Sequence, residues 1–251
     1  MVNVLINGAL GRMGKKVYEA CLLADGVKAV CGVDIKEDKS NTALPIYSSF
    51  NSVNEKVDVV IDFSASVSLD GILAYCIPKN IPAVLCATGY TDSDVEKVKT
   101  ASEKIAIFRS ANMSLGVNIL VELVKKAASA LDGFDIEIIE KHHNQKKDAP
   151  SGTALMLADA VKEVLPEKFY THGREGMVGA RNKDEIGIHA VRGGNIVGEH
   201  DALFAGVSET ITLSHQATDR AVFAEGAVKA AKYIVNKKNG LYNMSDMING
   251  K

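Results

Sequence analysis

The sequence predicts an α/β protein in two parts, a doubly wound parallel sheet followed by a second α+β domain with a mixed, largely antiparallel sheet. Up to about residue 109, short and continuously apolar runs alternate with segments of helical period. Apolar strands separated by helices are typical of a parallel sheet that is covered on both faces. After residue 110 several strands follow one another directly, which indicates antiparallel pairing with one packed face and one free face.

Five apolar runs are predicted to form the strands of the first part. They are residues 2–6, 29–33, 57–63, 83–87 and 105–108. The helices between them are predicted at residues 12–24, 67–77 and 92–103. Thr91 and Asp94 have the spacing of a capping box at the start of the third helix.

The second part is predicted to contain two helices and four strands. The helices are residues 116–131 and 154–165, and the strands are residues 134–142, 186–192, 195–204 and 208–217. A last amphipathic helix at 220–236 has an apolar face that we expect to return to the first part. The predicted domains are therefore 1–113 with 219–251, and 114–218.

The composition is that of a soluble globular protein. The 251 residues carry 29 basic and 31 acidic side chains, a net charge of −2, which speaks against a protein that binds nucleic acid or an anionic membrane. No apolar run reaches the ~20 residues of a membrane helix, and the chain enters its first strand without a secretory leader. We therefore expect a cytoplasmic protein. None of the four cysteines has Cys-x-x-Cys spacing, so we expect reduced thiols and no metal site.

A glycine-rich turn follows the first strand. Gly8, Gly11 and Gly14 stand between that strand and the first helix in the order Gly-x-x-Gly-x-x-Gly. Such glycines let a pyrophosphate approach the backbone at a helix N-terminus, and an acidic residue after the next strand binds the adenosine ribose. Asp34 lies 20 residues after Gly14, so the sequence predicts a Rossmann-type dinucleotide site. The alternative is a structural turn whose glycines occur by chance.

Asp34 and the residues directly after it also bear on the choice between NADH and NADPH. Asp34 is expected to repel a 2′-phosphate, and Ile35 brings no guanidinium to bind one. The sequence therefore favours NADH. Lys36 could still pair with a phosphate as a point charge, so NADPH remains open.

Residues 140–153 form the densest polar cluster in the chain, directly after a predicted strand. His142 and His143 point to opposite sides if the strand continues through both, so one could donate a proton while the other contacts substrate. Lys146 could bind a carboxylate. Ser151 is a plausible N-cap, and Gly152 after it leaves the helix start open as an anion seat. These features favour a dicarboxylate substrate, and an ordinary surface loop is the alternative.

Several segments of the chain together resemble a known family. The most specific are Glu140-Lys141-His142-His143 and Asp148-Ala149-Pro150-Ser151-Gly152-Thr153-Ala154. Further ones are the turn from Gly8 to Gly14, Asp62-Phe63-Ser64, Ala87-Thr88-Gly89, Ser110-Ala111-Asn112, Gly173-Arg174-Glu175-Gly176 and residues 192–200. Over nearly its whole length the chain is similar to the 4-hydroxy-tetrahydrodipicolinate reductase (dihydrodipicolinate reductase) family.

The resemblance implies an activity and a set of site residues. The activity is NAD(P)H-dependent reduction of the dihydrodipicolinate derived from 4-hydroxy-tetrahydrodipicolinate, giving tetrahydrodipicolinate in the diaminopimelate route of lysine biosynthesis. His142 corresponds to the proton donor and Lys146 to a second catalytic residue, and substrate binding falls to His143, Gly152 and Thr153, beside the N-cap Ser151. The cofactor positions are Gly8, Ala9, Leu10, Gly11, Arg12, Met13, Asp34, Cys86, Ala87, Thr88, Ser110, Ala111, Asn112 and Met113. The family is commonly a homotetramer formed through the sheet of its second domain.

The chain departs from the family pattern at several positions, none of which removes the proposed chemistry. They are Leu10, Ile35, Ala65, Cys86-Ala87 and Asn144-Gln145. Two competing functions stay open from sequence: another two-domain NAD(P)-dependent dehydrogenase, and a redox-sensing module that binds NADH without turnover. The first does not explain His-His-x-x-Lys followed by Pro-Ser-Gly-Thr, and the second lacks a basic recognition helix.

Overall fold

A computed structural model describes residues 1–36 and 43–251. The chain divides into two compact units, which are described separately. Unit 1 comprises Met1–Leu115 and Arg220–Lys251, and unit 2 comprises Gly116–Asp219.

Unit 1 is built on a seven-stranded sheet in which every pairing is parallel. The order across the sheet is β12-β6-β5-β4-β1-β2-β3, which is the doubly wound order with one added edge strand. The strands are β1 (Val2–Asn7), β2 (Val27–Val33), β3 (Ile46–Tyr47), β4 (Val59–Asp62), β5 (Ala83–Leu85), β6 (Ala106–Arg109) and β12 (Gly240–Tyr242).

Helices cover both faces of this sheet. They are α1 (Arg12–Leu23), α2 (Leu69–Lys79), α3 (Asp92–Ser102), α6 (Ala221–Ile234) and α7 (Met244–Ile248). Val4 and Ile6 belong to the core that contains α1 and α6, whereas Leu5, between them, belongs to the core that contains α2 and α3. Because neighbouring residues of a strand point to opposite faces, the continuously apolar run of β1 reflects two buried faces.

Unit 2 contains a five-stranded mixed sheet in the order β11-β10-β7-β9-β8. Its strands are β7 (Asp135–His142), β8 (Phe169–His172), β9 (Glu185–Arg192), β10 (Gly198–Ala205) and β11 (Thr210–Ala217). The helices α4 (Leu115–Ala130) and α5 (Gly152–Val164) pack on the face that carries Ile136 and Ile138. Side chains on the other face, such as Ile139 and Leu203, are only half-buried, so this sheet has one packed and one open face.

The predicted fold class is confirmed, with differences in detail. Two of the four pairings in the second sheet are antiparallel and two are parallel, so the sheet is more evenly mixed than predicted. The capping box of Thr91 and Asp94 is present. Three strands and one helix, β3, β8, β12 and α7, were not predicted from the sequence, because each is short and two of the strands are only partly buried. Within the described residues, no helix is long and apolar enough to cross a membrane.

Candidate active site

The turn after β1 has the backbone that the glycine pattern predicts. Gly8 has φ +78°, a conformation that side chains rarely adopt, and its N–H donates to the Val33 carbonyl at 2.8 Å. A Cβ on Gly14 would lie 2.2 Å from the Gly8 carbonyl oxygen. The N-cap of α1 is Gly11, which forms no side-chain cap. The first N–H groups of α1 are therefore left for an anion rather than for a capping side chain.

Asp34 lies directly after β2 and contacts this turn. Its Oδ2 accepts the N–H of Leu10 at 2.9 Å, and its Oδ1 accepts the N–H of Ile35 at 2.8 Å. The carboxylate therefore stands beside the glycine turn, where a ribose would follow the pyrophosphate. Ile35 is 91% exposed, and Lys36 is exposed as well.

Two cavities open at the carboxyl edge of the unit 1 sheet. The larger one, of 430 Å³, is lined by Asn7, Gly8, Val33, Asp34, Ile35, Ser48, Ser49, Phe50, Asn51, Ser64, Val67, Ser68, Gly71, Ala74 and Tyr75. The other, of 370 Å³, is lined by Phe63, Ser64, Cys86, Ala87, Thr88, Ser110, Ala111, Asn112, Met113 and Phe223. The glycine turn, the Asp34 carboxylate and the two cavities together fit the dinucleotide site that the sequence predicts.

The structure also shows a buried carboxylate, Asp62, bound to Ser64, which lines both cavities; no role was predicted for it from the sequence. Asp62 ends β4 and is fully buried. Its Oδ1 accepts from Asn7 Nδ2 at 2.8 Å and from the Ser64 N–H at 3.0 Å. Burial raises the pKa of Asp62 above its usual value, although the hydrogen bonds from Ser64 and Asn7 act in the opposite direction. The sequence did contain one indication that Asp62 is a functional residue, because it begins the Asp62-Phe63-Ser64 segment that resembles the family.

In unit 2 the predicted catalytic histidine lies at the end of β7. His142 is the last residue of that strand, so the alternation of a strand does not determine where His143 points. His142 is buried, and its Nδ1 lies 2.6 Å from Oε2 of the fully buried Glu140. A Cβ added to Gly198 would come within 3.1 Å of the other ring nitrogen, Nε2. Glycine at 198 therefore leaves room for the imidazole.

Glu140 is bound from three directions. The guanidinium of Arg192 donates to both carboxylate oxygens at 2.7 Å, and the Ser151 N–H donates to Oε1 at 3.0 Å. Burial alone would raise the pKa of Glu140, but the bonds from Arg192, His142 and Ser151 outweigh it and lower the pKa below its usual value. Neither Glu140 nor Arg192 was among the predicted site residues, although both stand in segments that carry the family resemblance.

The basicity of His142 is set by opposing contacts. Burial lowers the pKa of His142 below its usual value, and the charges of Lys146 and Arg192 act in the same direction. Glu140 raises that pKa through its hydrogen bond and its charge. The net effect is a pKa of His142 below its usual value, with Glu140 as the contact that favours the protonated ring.

The start of α5 lies next to this cluster. Ser151 is its N-cap and accepts the N–H of Ala154 at 3.2 Å, as predicted. Nothing lies within 4 Å of the point where a Cβ on Gly152 would stand, so a ligand can approach the helix start there. The Ser151 hydroxyl is 3.0 Å from Nε2 of His200, and burial lowers the pKa of that histidine to about 4.

Lys146 stands in the loop between β7 and α5. Its ammonium is 3.0 Å from Asp148, whose side chain is 62% exposed, and its charge is felt at His142. Unit 2 therefore brings together the buried imidazole, the ammonium and the helix start, all three predicted from sequence. In unit 1 the residues predicted to bind the cofactor form the glycine turn or line the two cavities.

Comparisons with known proteins identify the family. The N-terminal model of dihydrodipicolinate reductase matches residues 2–113, and the C-terminal model matches residues 116–248. The 4-hydroxy-tetrahydrodipicolinate reductase of Caldanaerobacter subterraneus subsp. tengcongensis is 50% identical over 99% of this chain and 98% of its own. That of Clostridium novyi is 45% identical over the full length of both chains.

Solved structures agree with this result. A dipicolinate-bound dihydrodipicolinate reductase from Paenisporosarcina sp. TG-14 is similar with a TM-score of 0.82 and 27% identity over 97% of each chain. A probable dehydrogenase from Thermotoga maritima, at 11% identity and a TM-score of 0.62, shares the fold alone. These matches confirm the predicted reductase of the diaminopimelate route and its use of a nicotinamide cofactor. The chain belongs to the dihydrodipicolinate reductase family, as its sequence predicts.

Proposed function

We propose that this family member reduces the cyclic dihydrodipicolinate formed from 4-hydroxy-tetrahydrodipicolinate to tetrahydrodipicolinate, and that the cluster of unit 2 binds the substrate. The observation that carries the proposal is the open start of α5 at Gly152, which follows Ser151, is joined to His142 through Glu140, and comes after a loop whose Lys146 charge acts on His142. A helix N-terminus and an ammonium together bind carboxylates. A substrate with two carboxylates fits this arrangement better than a neutral one.

His142 and Lys146 divide the polar chemistry in this proposal. When bound, the reduced nicotinamide supplies the hydride that adds to the unsaturated ring. His142 donates the proton that completes the reduction. Glu140 holds the imidazole in place through its contact with Nδ1. Lys146 stabilises the negative charge of the substrate through its ammonium. His143, Ser151 and Thr153, with Gly152, are proposed to surround the carboxylates.

Unit 1 is proposed as the dinucleotide-binding domain and unit 2 as the substrate-binding domain. The turn from Gly8 to Met13 would hold the pyrophosphate, and the loops 86–88 and 110–113 would hold the nicotinamide. The carboxylate of Asp34 beside that turn supports NADH as the preferred cofactor, because a 2′-phosphate would meet a negative charge there. The exposed Lys36 leaves room for some use of NADPH.

The assembly and the location are proposals as well. The open face of the unit 2 sheet carries Ile139 and Leu203 among polar residues, which is a mixed surface of the kind that subunit interfaces use. We propose a homotetramer formed through this face, working in the cytoplasm.

The test is a reductase assay with substrate generated enzymatically in the cuvette. We expect NADH to be oxidised only when that substrate is present, with a higher kcat/KM for NADH than for NADPH. Pyridine-2,6-dicarboxylate should compete with the substrate. NADH binding without any turnover would overturn the proposed reaction and favour a sensing module. Turnover with simple hydroxy acids or amino acids in its place would favour a different dehydrogenase.

A further inference from the structure

A single buried carboxylate touches both functional parts of the unit 2 site. Glu140 is fully buried, and its two oxygens receive four hydrogen bonds: one from His142, one from the Ser151 N–H and two from Arg192. An ionised carboxylate is costly to bury unless it is paired and hydrogen-bonded. Arg192 supplies the opposite charge in a two-pronged geometry, which is the strongest pairing available to a carboxylate.

The contact with His142 determines which ring nitrogen carries the proton. A carboxylate without its proton can only accept hydrogen bonds, so the imidazole must donate from Nδ1 across the 2.6 Å contact. In the neutral ring, Nε2 is then the nitrogen without a proton, and it is the atom that gains and releases one.

The same carboxylate, Glu140, also holds the start of α5 through its contact with Ser151. The Ser151 N–H donates to Oε1 of Glu140, while the Ser151 hydroxyl caps the helix by accepting the N–H of Ala154. The residue that caps the helix and the residue that donates the proton are therefore tied to the two oxygens of one side chain. A displacement of Glu140 would move both.

We propose that Glu140, held by Arg192, is the positioning residue of this site, which keeps His142 protonated on Nδ1 and keeps the start of α5 in register with it. The inference rests on the proposed function of His142 and goes beyond it, because it assigns a role to Glu140 and Arg192, which the proposed function leaves without one. The charge of Glu140 also stabilises the imidazolium, the form that must exist before His142 can donate.

In the part of the chain that the structure describes, four charged or titratable groups face His142. They are Glu140 on the same strand, Lys146 in the following loop, Arg192 on β9 and His200 on β10, whose ring lies 5.1 Å from that of His142. Three of these oppose the imidazolium or are neutral, since His200 stays unprotonated until about pH 4. Glu140 is thus the one group of the four that favours the proton, and removing its charge should make His142 harder to protonate.

The experiment compares the wild-type protein with Glu140→Gln, which keeps the shape of the side chain and removes its charge. A donor is active when protonated, so activity falls as the pH rises through the pKa of His142. In Glu140→Gln we expect this fall to move to lower pH by about one unit, with kcat reduced about 10- to 100-fold and KM for the substrate changed much less.

A second readout does not depend on turnover. The imidazole nitrogen shifts of His142, measured by NMR on the full chain, should show a proton on Nδ1 in the wild type and a lower titration midpoint in Glu140→Gln. The matched control is Glu199→Gln, which removes a carboxylate from neighbouring β10 that binds Lys141 and should leave both readouts unchanged. Arg192→Lys keeps the positive charge but loses the paired hydrogen bonds to Glu140. It should shift the titration midpoint of His142 in a protein that retains Glu140.

The outcomes separate the two proposals. Loss of activity with an unchanged pH profile and an unchanged His142 titration would overturn the positioning role and leave a structural one. A wild-type proton on Nε2 would overturn it as well. If Glu140→Gln does not fold, the titration of His142 in Arg192→Lys tests the positioning role in its place, and an unchanged midpoint there would overturn it. An inactive wild type whose His142 titrates as expected would instead overturn the proposed reaction.

Discussion

The two proposed sites of this chain use different chemical groups, mainly backbone in unit 1 and side chains in unit 2. The site proposed for the cofactor in unit 1 consists mainly of backbone: the glycines at 8, 11 and 14 and an uncapped helix start, with the Asp34 carboxylate accepting two N–H groups. The cluster of unit 2 is made of charged side chains around a buried carboxylate. The first should therefore be sensitive to added atoms and the second to lost charge and lost protons. Four substitutions test this difference.

The largest effect is expected from His142→Gln in unit 2. A glutamine amide can still donate to Glu140 and preserve the packing, but it cannot deliver a proton to the substrate. We expect kcat to fall about 10³-fold, since general acid catalysis contributes 10²–10⁴, with little change in KM. His172→Gln, at an exposed histidine of β8, serves as the control. A kcat near that of the wild type would remove His142 from the mechanism.

The second-largest effect is expected from Lys146→Ala, also in unit 2. The carboxylate that Lys146 contacts, Asp148, is 62% exposed, so this ion pair adds little to stability and the variant should fold normally. We expect kcat/KM to fall about 10²-fold or more, because the ammonium both orients the substrate and stabilises its charge. The neighbouring exposed lysine gives the control, Lys147→Ala. Equal kinetics for the two variants would contradict the role of Lys146.

Gly14→Ala tests the backbone site of unit 1. The new Cβ would lie 2.2 Å from the Gly8 carbonyl oxygen and 2.7 Å from Cα of Ala9, both of which are backbone atoms that cannot move aside cheaply. We expect the free energy of unfolding to fall by about 2 kcal/mol and NADH affinity to fall with it. In Gly71→Ala the nearest atom is 3.7 Å away, so denaturant unfolding should show no such loss. A Gly14→Ala protein of normal stability would refute the close-approach argument.

The smallest effect concerns the cofactor preference. Ile35→Arg places a guanidinium beside Asp34 at a side chain that is 91% exposed, so the fold should not suffer. We expect kcat/KM for NADPH to rise about 10-fold, because an arginine binds a 2′-phosphate with two hydrogen bonds. Leu23→Arg, at the end of α1 and 88% exposed, controls for added charge. An unchanged ratio between the two cofactors would show that the preference is set elsewhere.

Much of the fold could be predicted because its signals are local. Apolar runs, helical periods and the Thr91–Asp94 capping box each depend on residues close together in sequence. The elements that were missed had no such signal. The strand β12 has three residues and is only partly buried, and it exists because β6 offers an edge to pair with. The pairing of β7 with β9 in parallel joins segments whose order no local pattern specifies.

The site divides in a similar way. The residue types of the polar segment and the N-cap at Ser151 were evident from the sequence, since helix starts and clustered polar groups are local features. The role of Glu140 was not, because its partners come from residues 142, 151 and 192, on a strand, a helix start and another strand. Asp62 was likewise recognisable only once Asn7 and Ser64 were seen around it.

The sequence by itself determined the two-part α/β fold, the family and the glycine turn, because spacing along the chain is enough to specify strands, helices and backbone-built sites. Only the tertiary structure decided which buried charges meet. Arg192 and Glu140 lie 52 residues apart, and the pairing of β7 with β9 that brings them together fixes the proton on His142.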